Sequence, residues 1–137
     1  MVKILNMKID NLLLDKLTDQ AKESPRLRMN LDLRNSDADS SQRMLNAIEP
    51  GSVVPVHRHR GTSETLVVLR GRVVEEYYSS EGDVVATFEL SAGGPLCALN
   101  IPAGQWHALR ALESGTVILE MKDGAYEPIS PADILSM

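Results

Sequence analysis

With 137 residues, 43% of them hydrophobic and 24% charged, the chain has material for one domain with a buried core. Its formal net charge of -5 argues against a nonspecific nucleic-acid binder, which would need a basic stripe. No apolar run approaches the roughly 20 residues that cross a bilayer, and residues 1–10 hold no apolar core long enough for a signal peptide, so no membrane partner and a cytoplasmic location are expected.

Asp10 is a good N-cap, and Leu13, Leu14, Leu17 and Ala21 follow at helical spacing, which predicts a helix over 11–22. Ser24-Pro25 ends it, because the residue before proline avoids the α region. Its apolar stripe is expected to cover a sheet face or an oligomer partner. Residues 26–33 alternate polar and apolar, as a strand does, and 35–41 form a polar loop of turn residues. Short strands are then expected over 43–48, 53–59, 64–69, 72–78, 84–90, 96–101, 106–112 and 116–121. Turn signals at roughly 8–12-residue intervals between them point to a sandwich or barrel, and the absence of βαβ alternation excludes a doubly wound sheet. Ser130-Pro131-Ala132-Asp133 has the cap, proline and acid of a short helical turn. The single cysteine, Cys97, excludes an internal disulfide, and between Leu96 and Ala98 it is expected as a buried small hydrophobe. Glu75-Glu76 reads as a solvated pair or a charged strand edge, and of Tyr77 and Tyr78 one is expected in the core and one outside.

The chemistry concentrates in two places that hold all three histidines. His57 and His59 lie two apart, so on an extended strand both imidazoles leave the same face. Glu64 opens the next strand, and His107 follows the turn Pro102-Ala103-Gly104-Gln105. Imidazoles and a carboxylate converging in a small β-barrel suit one divalent transition metal: Fe, Mn, Ni, Co or Zn. The expected ligands are His57, His59, Glu64 and His107. The rival reading, solvent-facing or structural histidines, is the better one for any single histidine. By the same parity Arg58, Arg60 and Arg110 point away from the metal, and Trp106 serves packing or the rim. Arg43 and Asn46 sit on the strand before the motif and could reach the cavity, where a guanidinium holds a carboxylate or phosphate in a fork.

These residues resemble the cupin superfamily. Gly51, His57, His59, Glu64 and Gly71 stand at the spacing of its first motif, and Pro102-Ala103-Gly104-Gln105-Trp106-His107 at the core of its second. The second motif's leading glycine falls at Leu96 and its closing asparagine at Ala111, two departures that touch no expected ligand. Ser24-Pro25-Arg26, then 42–47, then 120–126 resemble the WbuC-type cupin-fold metalloproteins, found in bacteria often near genes for surface polysaccharide synthesis. The resemblance implies an all-β cupin barrel, a double-stranded β-helix or jelly roll, with a short N-terminal α-helix. Residues 1–35 would be the helix and lead-in strand packed on the barrel, and 36–137 the metal-binding barrel. It alone adds Lys122 and Tyr126 to Arg43 and Asn46 as substrate-binding candidates, and it implies a homodimer.

The expected function is a metal-dependent enzyme, an isomerase or an oxygenase, on a small polar molecule such as a sugar or sugar-nucleotide derivative. A metal-assisted module that binds or senses a carbohydrate or carboxylate needs the same open site, so sequence does not separate the two. A metal with a purely structural role would instead close the site.

Overall fold

A computed structural model describes residues 7–136; the first six residues of the expected 1–35 unit, and Met137, lie outside them. The helix α1 spans Asn11–Glu23, and its cap is the one anticipated: the Asp10 carboxylate accepts the Leu13 N–H at 3.1 Å. At its other end the Ser24 N–H donates to the Gln20 and Ala21 carbonyls. Among the described residues eight strands follow: β1 Arg28–Asp32, β2 Ser41–Ile48, β3 Glu64–Arg70, β4 Arg72–Tyr78, β5 Val84–Ser91, β6 Ala98–Ile101, β7 Trp106–Ala111 and β8 Thr116–Asp123. A 3-10 turn, Pro131–Asp133, is capped by Ser130, whose side chain accepts the Ala132 N–H. No described helix is long and apolar enough to cross a membrane.

The strands form two antiparallel sheets, ordered β1-β2-β8-β3-β6 and β5-β4-β7. Their facing sides enclose the barrel core, in which Ile48, Leu66, Val73, Leu90 and Ile118 are buried. The outer face of the larger sheet carries a second core, where Leu14, Leu17 and Ala21 of α1 meet Leu45, Ala47 and Val117. The helix stripe is therefore spent on this chain's own sheet and is not free as an interface. Alternation along β2 and β8 feeds both cores, since successive side chains leave opposite faces.

Four expectations need correction. Residues 53–59 are not a regular strand; only His57 makes ladder bridges, to His107 and to Ile134. Pro55 has no N–H to give a ladder, which keeps the preceding stretch out of the sheet. Cys97 is exposed, because β6 starts only at Ala98. Its backbone is held, with the carbonyl accepting the Val68 N–H at 2.9 Å, while the side chain faces out. Glu75 and Glu76 are no edge pair: β4 is the centre of its sheet, and Glu75 is fully buried. Tyr77 packs edge-on against Phe88 beside the core, as expected, but Tyr78 is half-buried rather than exposed.

Gly71 lets β3 turn straight into β4 with φ +85, a left-handed value that favours glycine. A Cβ there would lie 2.8 Å from the Thr116 Cα, so the two turns are in close contact. The 35–41 loop is closed as its composition suggests: the Asp39 carboxylate accepts the Asn35 and Ser41 N–H groups, each at 2.9 Å.

Candidate metal centre

His57 and His107 are held opposite one another by reciprocal backbone bonds of 3.0 and 2.8 Å. Each ring is oriented by a main-chain carbonyl: His57 Nδ1 lies 2.8 Å from the Pro55 carbonyl, and His107 Nδ1 2.8 Å from that of Gln105. A carbonyl can only accept, so each Nδ1 carries the proton and each Nε2 keeps its lone pair. The three histidines each place a ring nitrogen so that all three nitrogens lie within 4.8 Å of one another. Glu64, at the start of β3, completes the group: its carboxylate lies 3.4 Å from His107 Nε2 and 3.7 Å from His59 Nε2.

Both of those Nε2 atoms are buried and make no hydrogen bond. Buried lone pairs without partners are costly in a finished structure, and they are what a cation would satisfy. The protonation states agree. Burial pushes His57 below its ordinary value; burial, then Lys122, brings His59 down to about 4. Both imidazoles are therefore neutral, as metal ligation requires. Burial would push Glu64 up, but its polar neighbours, the Lys122 ammonium among them, outweigh it and keep the carboxylate ionised. The donor set thus fits a divalent metal.

Behind the ligands the barrel holds further acid. Residues Gln42, Met44 and Asn46 of β2 pair with Lys122, Glu120 and Ile118 of β8, and Glu64 of β3 pairs with Lys122, so all share the inner face. Lys122 Nζ reaches Glu64 Oε1 at 3.3 Å, and Asn46 Nδ2 donates to Glu120 Oε1 at 3.3 Å. Burial, then the Glu64 charge, raises Glu120 to about 7. Glu75 is 0% exposed, and neither of its carboxylate oxygens has a partner. Tyr77 is directly opposite His107 and Glu75 opposite Leu109, so Glu75 lies one step deeper on the same face as His107. Burial first, then Glu64 and Glu120, raises its carboxyl to about 9, so it is neutral at physiological pH.

The other expected residues are dispersed. Lys122 stands at the centre, bonded to Glu64, and borders both a mouth of ≈ 710 Å³ that opens on His59 and a side cavity of ≈ 250 Å³. Tyr126 borders both spaces but is 59% exposed, with the Arg34 guanidinium 5.7 Å over its ring. Asn46 is buried beneath Glu120. Arg43 rims the side cavity, where its Nη1 donates to Asp39 at 3.3 Å and to the Ser41 carbonyl at 2.8 Å. Arg58 and Arg60 turn onto Asp133, which with them borders the mouth that opens on His59, and Arg58 lies over Trp106 at 4.4 Å. Sequence reasoning missed Glu75 and the inward side of Glu120. The second was available, since Glu120 and Lys122 have the same strand parity; the first depends on which strand lies in the middle.

A family model described as a domain of unknown function, DUF6016, matches residues 9–90. The chain belongs to that family. No curated protein matches this DUF6016 chain. Among solved structures it is similar to KdgF from Halomonas sp., at 16% identity and TM-score 0.60, over 76% of this chain and 85% of that one. It is similar to the capsular polysaccharide assembling protein CapF from Staphylococcus aureus, at 19% identity and TM-score 0.58, over 73% of this chain but 32% of that one. The cupin domain of Schizosaccharomyces pombe Cnp3 gives 14% identity and TM-score 0.55, over 72% of this chain and 65% of that one. At these identities the likeness shows the fold: this DUF6016 chain is a cupin barrel.

Proposed function

We propose that this DUF6016 chain is a metal-dependent enzyme acting on a small polar molecule, a sugar or sugar-nucleotide derivative. His57, His59, Glu64 and His107 would hold one divalent transition metal. The observation that carries the reading is the pair of buried, unpartnered Nε2 atoms of His59 and His107, turned toward the Glu64 carboxylate. A bound metal supplies a Lewis acid that polarises a substrate oxygen or lowers the pKa of a bound water. The chain's own part is to hold the imidazoles neutral, to balance the carboxylate with Lys122, and to hold a proton on Glu75 beneath the site. Lys122 and Tyr126 would orient the substrate, with Arg43 at the edge of the side cavity and Asn46 behind them, holding Glu120.

The carbohydrate class draws support from the fold shared with a capsular polysaccharide assembling protein and from the WbuC-type resemblance, which belongs to the same proposal. Metal analysis of untagged wild type, His57→Ala and His107→Ala tests the centre: about one equivalent is expected in wild type and little in either variant. Stoichiometric metal in both variants would end the assignment. Turnover of a sugar and carboxylate panel by the Fe-, Mn-, Ni- and Zn-loaded protein, in air and under nitrogen, tests the activity. Tight binding with the ligand unchanged throughout would identify a binding module instead.

A further inference from the structure

The segment that carries His57 and His59 has little of the sheet to lean on. On one side it has the two backbone bonds between His57 and His107 and the bond from the Gly104 N–H to the His59 carbonyl at 2.7 Å. On the other, its neighbour comes from residues 133–135: the Arg58 N–H donates to the Asp133 carbonyl at 3.0 Å, and the Leu135 N–H to the Val56 carbonyl at 2.8 Å. These bonds bracket the bridge between His57 and Ile134. The 3-10 turn holds this neighbour in shape, with the Asp133 N–H on the Ser130 carbonyl at 2.8 Å.

Side chains repeat the connection. Asp133 Oδ1 accepts from Arg58 Nε at 3.0 Å and from Arg60 Nε at 2.6 Å. These two arginines flank His59 in sequence, and one carboxylate oxygen anchors both. Alternation along an extended segment places the imidazoles opposite the guanidiniums. Fixing the arginines therefore fixes the rotation of the segment about its own axis, and with it the aim of His57 and His59. Arg58 also lies over Trp106, the residue beside His107, which ties the same clamp to the third imidazole.

We propose that segment 130–135, acting through Asp133, is a positioning element for the metal ligands. The inference rests on the reading of His57, His59, Glu64 and His107 as a metal centre. Asp133 touches no ligand atom; it sets where two of them point. Groups that orient metal ligands from outside commonly change affinity by about 10–100-fold when removed. Coupling is reciprocal, so a metal that favours the aligned imidazoles also tightens the docking of 130–135.

The test uses Zn²⁺ alone, with affinity measured by competition against a chromophoric chelator. Asp133→Asn is expected to weaken Zn²⁺ binding by about 10–100-fold, with Asp133→Glu recovering part of the loss. Asp15→Asn, which instead breaks the ion pair between α1 and Arg70 of β3, is expected to bind as wild type. Arg60→Gln removes one half of the clamp at its exposed end and is expected to weaken binding several-fold even if Asp133→Asn folds poorly. Hydrogen exchange at the Arg58 and Leu135 amides is expected to slow when Zn²⁺ is added to wild type. Wild-type affinity in folded Asp133→Asn or in Arg60→Gln, an equal loss in Asp15→Asn, or amides indifferent to Zn²⁺ would overturn the inference. Zn²⁺ binding by wild type that survives His57→Ala would overturn the metal reading itself, and is measured first.

Discussion

Replacing Glu75 by glutamine should make the metal-free protein more stable, by an amount that grows with pH. In the folded chain this carboxyl holds its proton to about 9, against 4.5 for the free group. Between those values the native state binds more protons than the unfolded one. Stability is therefore full below about 4.5 and falls as pH rises toward about 9. Each unit of that interval costs about 1.4 kcal/mol. Glutamine keeps the shape and does not titrate, so the variant escapes the cost. The expected gain over wild type is about 1 kcal/mol at pH 5 and about 3 kcal/mol at pH 7. Urea unfolding of both proteins across that range, with a chelator present, measures it. Taking the difference between the two removes the titration of His57 and His59, which is common to both. A difference that stays flat with pH, or a variant less stable than wild type near neutrality, would refute the picture of a buried acid held neutral.

Gly71→Ala should cost about 3 kcal/mol or more, because it combines a left-handed φ of +85 with a Cβ driven against the Thr116 backbone; the thermal midpoint checks it. Leu66→Ala, in the fully buried barrel core, should cost about 2–5 kcal/mol in urea unfolding without changing metal stoichiometry. Lys122→Met should bind Zn²⁺ about tenfold more tightly, since the ammonium 3.3 Å from Glu64 competes with a cation for the same carboxylate. Unchanged or weaker affinity in the chelator assay would show that Lys122 does not compete there.

The candidate ligands were legible because their geometry is local. Two histidines two apart need only an extended backbone to share a face, and the 53–59 segment supplies that without being a ladder strand. The helix was legible for the same reason, since Asp10 and the leucine spacing act within a few residues. Glu75 was not. A charged pair on a strand has opposite meanings at an edge and at a centre, and β4 becomes central only because β5 and β7, far apart in sequence, pair on either side of it. The partner of the ligand segment was illegible too. Asp133 meets Arg58 and Arg60 across more than seventy residues, and no periodicity reports such a contact. Arg43 looked free for substrate because Asp39, four residues earlier, could equally have faced solvent.

The lone thiol of Cys97 offers an attachment point. The Cys97 carbonyl is bonded to Val68, four residues along β3 from Glu64, which puts it about 13 Å along the strand from that ligand. A maleimide-linked fluorophore should therefore modify the native protein once per chain and leave its zinc affinity unchanged. At that separation, a paramagnetic or coloured ion at the centre would quench the dye, so emission alone would report loading and release in real time.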